Sequence, residues 1–321
     1  MNSRLWRGYM AIVSGSNAAE LAAALAEEME WEHHPLEVRR FPDSEGYVRV
    51  PQESIEAIRS EPVVIVATTF PDSGIVEALL MLESIHDVRR GDMSNLKGEG
   101  EQSLDDAGPG IFLAVPYFGY SRQDKRFQRG EVVSAKLLAR LLTRRCDGMI
   151  VLDLHAPAVL EDLEVPVEFV SSMPEIAIHL QNTVRPDFVL SPDKGAIERA
   201  SHVANAIGCN FSYLEKTRID AHTIEHKAKD LDVDGAIVAI VDDMISTGGT
   251  ICKASDALRR QGAKAVHAAC THGLFTGGAI TRLSNHVDGV HATDSLPNPR
   301  SVVSGAPAIA RGVNSLIERV L

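Results

Sequence analysis

Several short stretches of this 321-residue chain bring together side chains that can do chemistry. From Ile237 to Thr250 the sequence reads IVAIVDDMISTGGT. An apolar run ends in two carboxylates, Asp242 and Asp243, and a loop of Ser246, Thr247, Gly248, Gly249 and Thr250 then leads into a helical pattern. Backbone N–H groups of a glycine-rich loop at a helix N-terminus can hold a phosphate dianion, helped by the three hydroxyls. Carboxylates at the end of the strand can accept hydrogen bonds from a ribose diol, and open α/β sheets bind ligands at the C-terminal ends of their strands. A tight strand-to-helix turn would also need the glycines, but not two adjacent acids against an apolar strand. Arg122, Lys125 and Arg126 place three cations within five residues just after another apolar run. That suits a polyphosphate, which Arg can clamp bidentately; a solvated basic turn has the same composition.

Three further groups are more open. Asp153 and His155 stand two apart on an expected strand, so they should share a face. Such a pair could bind a metal, and spacing alone favours zinc or manganese over magnesium; a structural His is the plainer alternative. Phe41, Asp43, Ser44 and Glu45 supply an aromatic face and acceptors for an amino group, or form an ordinary turn. Lys216 and Arg218 open a charged stretch that stays poor in apolar residues through Asp232, as a solvated hairpin would.

The absences narrow the chemistry. No Gly-Lys pair occurs anywhere, so there is no Walker loop, and neither G-x-S-x-G nor H-E-x-x-H is present. P-loop kinases, common serine hydrolases and zincins are thereby excluded. The four cysteines are widely separated, against a zinc ribbon or a disulfide scaffold, and read as small buried hydrophobes. With 44 acidic against 32 basic side chains the formal charge is −12, the wrong sign for coating nucleic acid. No apolar run reaches the ~18 residues of a membrane span, and neither a signal peptide nor a lipidation signal is apparent. A cytoplasmic protein with no nucleic-acid or membrane partner is expected.

The elements that must position these groups alternate along the chain. Strands are expected at Tyr9–Ser14, Val63–Thr68, Ile111–Pro116, Met149–His155, Phe188–Ser191, Ile237–Asp242, Val266–Thr271 and Val290–Thr293. Helices are expected at Asn17–Met29, Val133–Arg145, Gly195–Ile207, Thr250–Arg260 and Pro307–Val320. Asn17 as N-cap with Glu20 three residues on reads as a capping box. Near-continuous apolar strands alternating with helices indicate parallel sheets covered on both faces, an α/β fold. The strands are too many for one ordinary sheet, so two units are expected, with a boundary near Ala156–Met173. Both halves share a strand-loop-helix grammar that would suit a duplicated unit. The segment Gly91–Gly110, with five glycines, five acids and one lysine, reads as a surface insert, its Gly98-x-Gly100 lacking the strand and helix of a phosphate loop.

The 237–250 segment resembles the phosphoribosyl diphosphate (PRPP) motif shared by phosphoribosyltransferases and ribose-phosphate pyrophosphokinases. Val115–Phe127 (VPYFGYSRQDKRF), Leu152–Ala156 (LDLHA), Ser191–Ala200 (SPDKGAIERA), Thr271–Phe275 (THGLF) and Phe41–Glu45 (FPDSE) all resemble the pyrophosphokinase, or PRPP synthetase, in order along the chain. The resemblance runs from about residue 8 to residue 320. It implies two similar phosphoribosyltransferase-like (Rossmann-like) domains, parallel sheets flanked by helices. The first would span 1–168 and carry the ATP site, with helix 306–321 packed back on it. The second, 169–305, would bind ribose 5-phosphate. Phe41, Asp43, Ser44, Glu45, Arg122 and Gln123 would contact ATP. Asp242, Asp243, Ser246, Thr247, Gly248, Gly249, Thr250 and Arg218 would hold ribose 5-phosphate. His155 and Asp193 would bind Mg²⁺, as Mg–ATP plus a second ion, so the resemblance points to magnesium where spacing alone pointed elsewhere. Lys216 and Arg218 would sit on a flap that closes over the transferring group, as catalytic cations.

Departures from the family pattern are local. Ser44 stands where the family often has Gly, and Ser246 where it often has Asp. The chain ends at Leu321 without the longer tail of many bacterial and eukaryotic members, so archaeal-type members are the nearer comparison. The expected activity is transfer of the β,γ-diphosphate of ATP to the 1-hydroxyl of ribose 5-phosphate, giving PRPP and AMP for nucleotide biosynthesis, by a homo-oligomer of at least two chains. A PRPP-consuming phosphoribosyltransferase would leave the Arg122, His155 and Asp193 segments unexplained. A silent regulatory homologue that binds synthetase subunits would not need Lys216, Arg218 and His155.

Overall fold

The structure is a computed structural model that describes residues 10–91, 110–192, 196–218, 224–228 and 232–320, with backbone only at 215–218 and 224–228. Nearly all of the 91–110 insert, and Asp193, lie outside the described residues. The chain divides into two compact units, one formed by 1–170 with 306–321 and the other by 171–305.

The first unit runs β1 (Ala11–Ser14), α1 (Ala19–Met29), β2 (His33–Pro35), β3 (Glu37–Arg40), β4 (Gly46–Arg49), α2 (Ile55–Ser60), β5 (Val63–Val66), α3 (Asp72–Arg90), β6 (Ile111–Val115), α4 (Ser134–Thr143), β7 (Gly148–Leu152) and β8 (Val167–Val170). Six of these strands form an all-parallel sheet in the order β2-β1-β5-β6-β7-β8, and β3 and β4 make a separate antiparallel hairpin. Every residue of β1, β5, β6 and β7 is buried, as a sheet covered on both faces requires. Strand alternation divides these residues between two cores. Val63, Ile65, Leu113 and Val151 pack with α2, α3 and α4, whereas Val64, Val66, Phe112 and Ile150 pack with α1 and the chain's final helix.

The second unit runs α5 (Met173–Thr183), β9 (Phe188–Ser191), α6 (Ile197–Ile207), β10 (Asn210–Arg218), β11 (Ile224–Ala228), β12 (Ile237–Ile245), α7 (Gly249–Arg260), β13 (Ala265–Gly273), α8 (Ala279–Ser284), β14 (Gly289–Thr293) and β15 (Ser301–Val303). Its sheet order is β11-β10-β9-β12-β13-β14-β15, parallel except for the β10–β11 hairpin. Leaving out β11, both sheets have the strand order 2-1-3-4-5-6. Helix α9 (Ala306–Val320) then returns to the first unit, where Ile309, Val313 and Leu316 enter its core at helical spacing.

The two units repeat small devices as well as topology. Asp147, just before β7, accepts a hydrogen bond from the Ile111 amide at 2.8 Å. Asp288, at the equivalent point before β14, accepts one from the Val266 amide at 2.7 Å. Each ties the start of one strand, at its first or second residue, to its neighbour, and each opens an Asp-Gly pair.

Asn17 does not cap α1, contrary to expectation: the N-cap is Ala18, without a side-chain cap bond, and the Asn17 side chain instead donates to the Thr68 carbonyl at 2.7 Å. The stretch 156–173 contains the division between the units, after Val170, and also β8, the last strand of the first sheet. The 19-residue helix α3 was not among the expected helices. Its apolar positions are interrupted by charged ones, including Glu77, which turns inward.

In the second unit, three imidazoles form a chain between α5 and the sheet. His179 Nε2 lies 2.9 Å from His291 Nδ1, and His291 Nε2 lies 3.2 Å from His267 Nδ1. Burial, then His179, His267 and Arg300, push the His291 pKa down to about 4; burial also lowers His179 and His267, the latter opposed by Asp288 and reinforced by Arg259. The unfolded chain, with His near 6.5, therefore binds more protons than the folded one in mild acid. The stabilisation is fully present above about pH 6.5 and is lost as pH falls toward the folded value. The urea midpoint is expected to drop between pH 8 and pH 5, and by less in His291→Gln; an equal drop in both proteins would show that the cluster does not titrate on unfolding.

Candidate active site

A crevice is expected in each sheet where the strand order reverses. In the second unit that point lies between β9 and β12. These strands pair only over Val238–Ile240 against Phe188–Leu190, whereas β12 pairs with β13 as far as Ile245. Past Ile240 no strand of the described residues pairs with β12 on its β9 side, and that section carries Asp242 and Asp243. Asp242 is half-buried and Asp243 is 2% exposed. The amide of Asp243 donates to Asp242 Oδ1, and the amide of Met244 donates to Asp243 Oδ1, each at 2.9 Å. Burial and then the neighbouring Asp243 raise the pKa of Asp242, opposed in part by Arg199.

The loop that follows is open to an anion. Gly248 is the N-cap of α7 at φ 74°, with no side-chain cap bond, so the first-turn N–H groups have no side chain competing for them. Leu283 lies 3.0 Å from the point a Cβ on Gly248 would occupy, a second reason for glycine there. The loop is stitched to the segment after β13. Leu274 and Phe275 amides donate to the Ile245 carbonyl at 3.1 Å, the Thr276 amide to the Ser246 carbonyl at 3.1 Å, and Arg282 to the Thr247 carbonyl. Ser246 Oγ lies 3.1 Å from Thr276 Oγ1. The resulting cradle, Thr247 to Thr250, is a preorganised row of donors.

At the matching point of the first unit, between β1 and β5, the amide and hydroxyl of Ser16 donate to the two carboxylate oxygens of buried Glu77 at 2.6 and 2.7 Å. Both residues line a cavity together with Arg39 and Tyr47 of the β3–β4 hairpin.

The cationic loop of the first unit follows β6. Gly119 packs so tightly that a Cβ would lie 2.2 Å from the Thr69 carbonyl oxygen, and its amide donates to Thr69 Oγ1 at 2.7 Å. Tyr120 sits at φ 62° and its hydroxyl donates to Asp72 Oδ1 at 2.8 Å. Glu131 then closes the loop, accepting from the Phe127 amide at 2.7 Å and from Gln123 Nε2 at 3.3 Å, while its carbonyl accepts from Arg126 Nε at 2.9 Å. Backbone donors at Phe127 and Gln128 hold the Glu131 carboxyl below its ordinary pKa. Arg122 is exposed and Gln123 half-buried.

The turn Phe41–Glu45 joins β3 to β4. The Phe41 amide donates to the Glu45 carbonyl and the Ser44 amide to the Phe41 carbonyl, both at 2.9 Å, and the Glu45 amide donates to Asp43 Oδ1 at 3.1 Å. The Arg39 guanidinium lies 4.0 Å from the Tyr47 ring centre and 4.8 Å from that of Phe41, holding exposed Phe41 and half-buried Tyr47 as an aromatic pair on the hairpin.

The family described as the N-terminal domain of ribose phosphate pyrophosphokinase matches residues 10–90 and 107–145, and the phosphoribosyl transferase domain family matches 174–290. Ribose-phosphate pyrophosphokinase of Methanopyrus kandleri is 39% identical over 312 residues, covering 96% of this chain and 99% of that protein. The chain belongs to the ribose-phosphate pyrophosphokinase family. The protein of the same name from Methanothermobacter thermautotrophicus is 37% identical, over 93% of this chain and 98% of its own length. The crystal structure of phosphoribosylpyrophosphate synthetase from Mycobacterium smegmatis superposes with a TM-score of 0.75 at 27% identity, covering 97% of this chain and 99% of that one.

The structure accounts for one departure from the pyrophosphokinase pattern. Ser44 adopts φ 75°, the left-handed region where glycine carries no penalty, and its carbonyl accepts from Arg40 at 3.1 Å. The expectation that Asp153 and His155 share a strand face is corrected. Strand β7 ends at Leu152, Asp153 turns to φ 40° and is buried, and His155 is exposed. Lys216 and Arg218 lie on β10, which pairs with β9 only as far as Tyr213 and continues in the hairpin, opposite His226 and Ile224. Their backbone is therefore carried beyond the C-terminal edge of β9. Asp193 falls outside the described residues, as do the side chains of Lys216 and Arg218.

Glu131, Asp72 and Arg199 were not singled out from the sequence. Only Arg199 left a signal there, a cation in the first turn of a helix, where the dipole disfavours it. Glu131 holds the loop from 123 to 127 through a charge-assisted bond at one end and an amide bond at the other. Glu131→Ala is expected to speed amide hydrogen exchange at Phe127 about tenfold, from loss of the carboxylate that accepts its N–H, with core amides unchanged. Unchanged exchange at Phe127 would show that other contacts hold the loop.

Proposed function

We propose that the protein is a ribose-phosphate diphosphokinase, transferring the β,γ-diphosphate of ATP to the 1-hydroxyl of ribose 5-phosphate and releasing AMP. The observation that carries this reading is the pairing of two different phosphate devices in one chain. One is an uncapped α7 N-terminus beside two adjacent carboxylates; the other is a clamped cationic loop with an aromatic hairpin. A phosphoribosyltransferase would need the first alone.

In this reading the Thr247–Thr250 amides hold the 5-phosphate, aided by the hydroxyls of Ser246, Thr247 and Thr250. Asp242 and Asp243 receive the ribose hydroxyls. Phe41 stacks on adenine while Asp43, Ser44 and Glu45 meet its amino edge, and Arg122 and Gln123 hold the polyphosphate. The ribose 1-oxygen attacks the β-phosphorus of ATP, its bond to the bridging oxygen breaks, and AMP leaves with that oxygen. Lys216 and Arg218, with Arg218 also reaching the sugar phosphate, offset the charge that develops on the diphosphate.

Magnesium fits the donors present. Among the described residues no group of three or more His, Cys, Asp or Glu forms a cage. Mg²⁺ usually keeps several waters and takes one or two protein groups together with substrate phosphates. Exposed His155 beside ATP and Asp193 at a second ion match that habit. When bound, the ion neutralises polyphosphate charge, which a chain of net charge −12 cannot do by composition. No helix of the described residues is long and apolar enough to cross a membrane; a cytoplasmic homo-oligomer of at least two chains completes the proposal.

With Mg–ATP and ribose 5-phosphate, AMP and PRPP are expected in equal amounts by chromatography; ADP as product would replace this reading with ordinary phosphoryl transfer. In steady-state kinetics Lys216→Ala is expected to lower kcat about 10²–10³-fold with little change in KM, the usual size for losing one transition-state donor. Asp242→Asn should raise KM for ribose 5-phosphate as well, because its carboxylate meets the sugar already in the ground state. Near-normal kcat in Lys216→Ala would return the hairpin to a structural role.

A further inference from the structure

The two adjacent carboxylates of β12 face opposite sides of the sheet. Ala239 and Val241 belong to the core under α5 and α6, whereas Val238 and Ile240 belong to the core under α7 and α8. Alternation places Asp243 on the α6 side and Asp242 on the α7 side, the side of the phosphate cradle. On α6, Arg199 directs its guanidinium at Asp243, with Nη2 3.4 Å from Oδ2. Asp243 is 2% exposed, and its other oxygen accepts the Met244 amide. Arg199 stands in the first turn of α6, where a cation opposes the helix dipole, so its placement needs a specific partner.

We propose that Arg199 is the positioning residue of this carboxylate pair, holding Asp243 against β12 and supplying a fixed cation that offsets two adjacent acids when the sugar phosphate binds. The chain of contacts is short. Arg199 fixes Asp243, the Asp243 amide donates to Asp242 Oδ1, and Asp242 presents its remaining acceptor sites on the cradle side. Among the described residues, the titratable or charged groups around Asp242 are Asp243 on its own strand, Arg199 on α6 and the Cys270 thiol opposite it on β13. Cys270 is fully buried and its pKa is pushed up, first by burial and then by Asp242, so it stays neutral. His272, next along β13 on that face, bonds to Ser295 at 2.9 Å. The Asp243 amide favours the ionised form of Asp242 first, and among the charged side chains of the described residues Arg199 adds to it.

This inference rests on the proposed sugar-phosphate site, and its test separates the two. Wild-type protein that forms no AMP from Mg–ATP and ribose 5-phosphate would count against the proposed function. The same titration would then be followed by calorimetry of ribose 5-phosphate binding. For Arg199, the readout is the acid limb of kcat/KM for ribose 5-phosphate, or of the binding constant. Arg199→Met keeps the aliphatic stem but removes the charge. It should move that limb up by about one pH unit, equivalent to roughly tenfold weaker use of ribose 5-phosphate at the old midpoint, with kcat at saturation and high pH within about threefold. Arg199→Lys should restore most of the shift. A purely structural Arg199 would instead lower activity equally at every pH, and an unmoved limb would overturn the proposal. If Arg199→Met does not fold, Asp243→Asn asks the reverse question, since removing the neighbouring charge should move the limb to lower pH; a limb that stays put there overturns the proposal equally.

Discussion

Everything at the proposed sugar-phosphate site depends on one strand outrunning its neighbour. Strand β12 pairs with β9 for three residues and with β13 along its length, from Ile237 to Ile245. Where the β9 pairing stops, no strand of the described residues replaces it. The acids, the uncapped N-terminus of α7 and the backbone of β10 beyond Tyr213 all belong to that edge. A longer β9 ladder would cover the carboxylates, and a capped α7 would satisfy its own donors. The crossover geometry of a parallel sheet favours a binding crevice at this point, and in the proposed reading the residues around it suit a phosphorylated sugar.

The first unit shows the same geometry put to another use. Its strand order repeats that of the second, down to an aspartate tying paired strands together before the fifth strand. At its switch point the Glu77 carboxylate takes the Ser16 amide and hydroxyl. In the proposed reading the phosphate contacts of this unit fall instead to the loop after β6, held by Thr69, Asp72 and Glu131, and to the β3–β4 hairpin.

Charge is handled locally in both units. A chain with an excess of acids proposed to hold two phosphate-rich substrates does so with a few fixed cations and many backbone dipoles. Arg122 and Lys125 stay exposed on a loop whose own carboxylate, Glu131, is engaged by backbone amides. Arg199 is set against the buried Asp243. Backbone strain falls in the same places: Ser44, Tyr120 and Asp153 have left-handed φ angles at the turn or strand ends from which the proposed ligand groups project.

Much of this was legible in the sequence. Apolar runs such as Val63–Val66 and Ile111–Val115 specify buried parallel strands, because only a sheet covered on both faces can hide every side chain of a run. The IVAIVDDMISTGGT segment placed acids, glycines and hydroxyls in an order that few other chemistries require. What remained hidden depends on contacts between distant parts of the chain. Asn17 reads as a helix cap until Thr68 is beside it, and the polar character of Glu77 reads as a solvated face until Ser16 is. Asp153 and His155 read as one strand face until the backbone turns at Asp153. Local pattern determines which element forms and which residue types it carries, since propensity and burial act over a few neighbours. Which side chain meets which partner, and therefore which acid is filled, paired or left free, was decided only when sheet and helices closed around them.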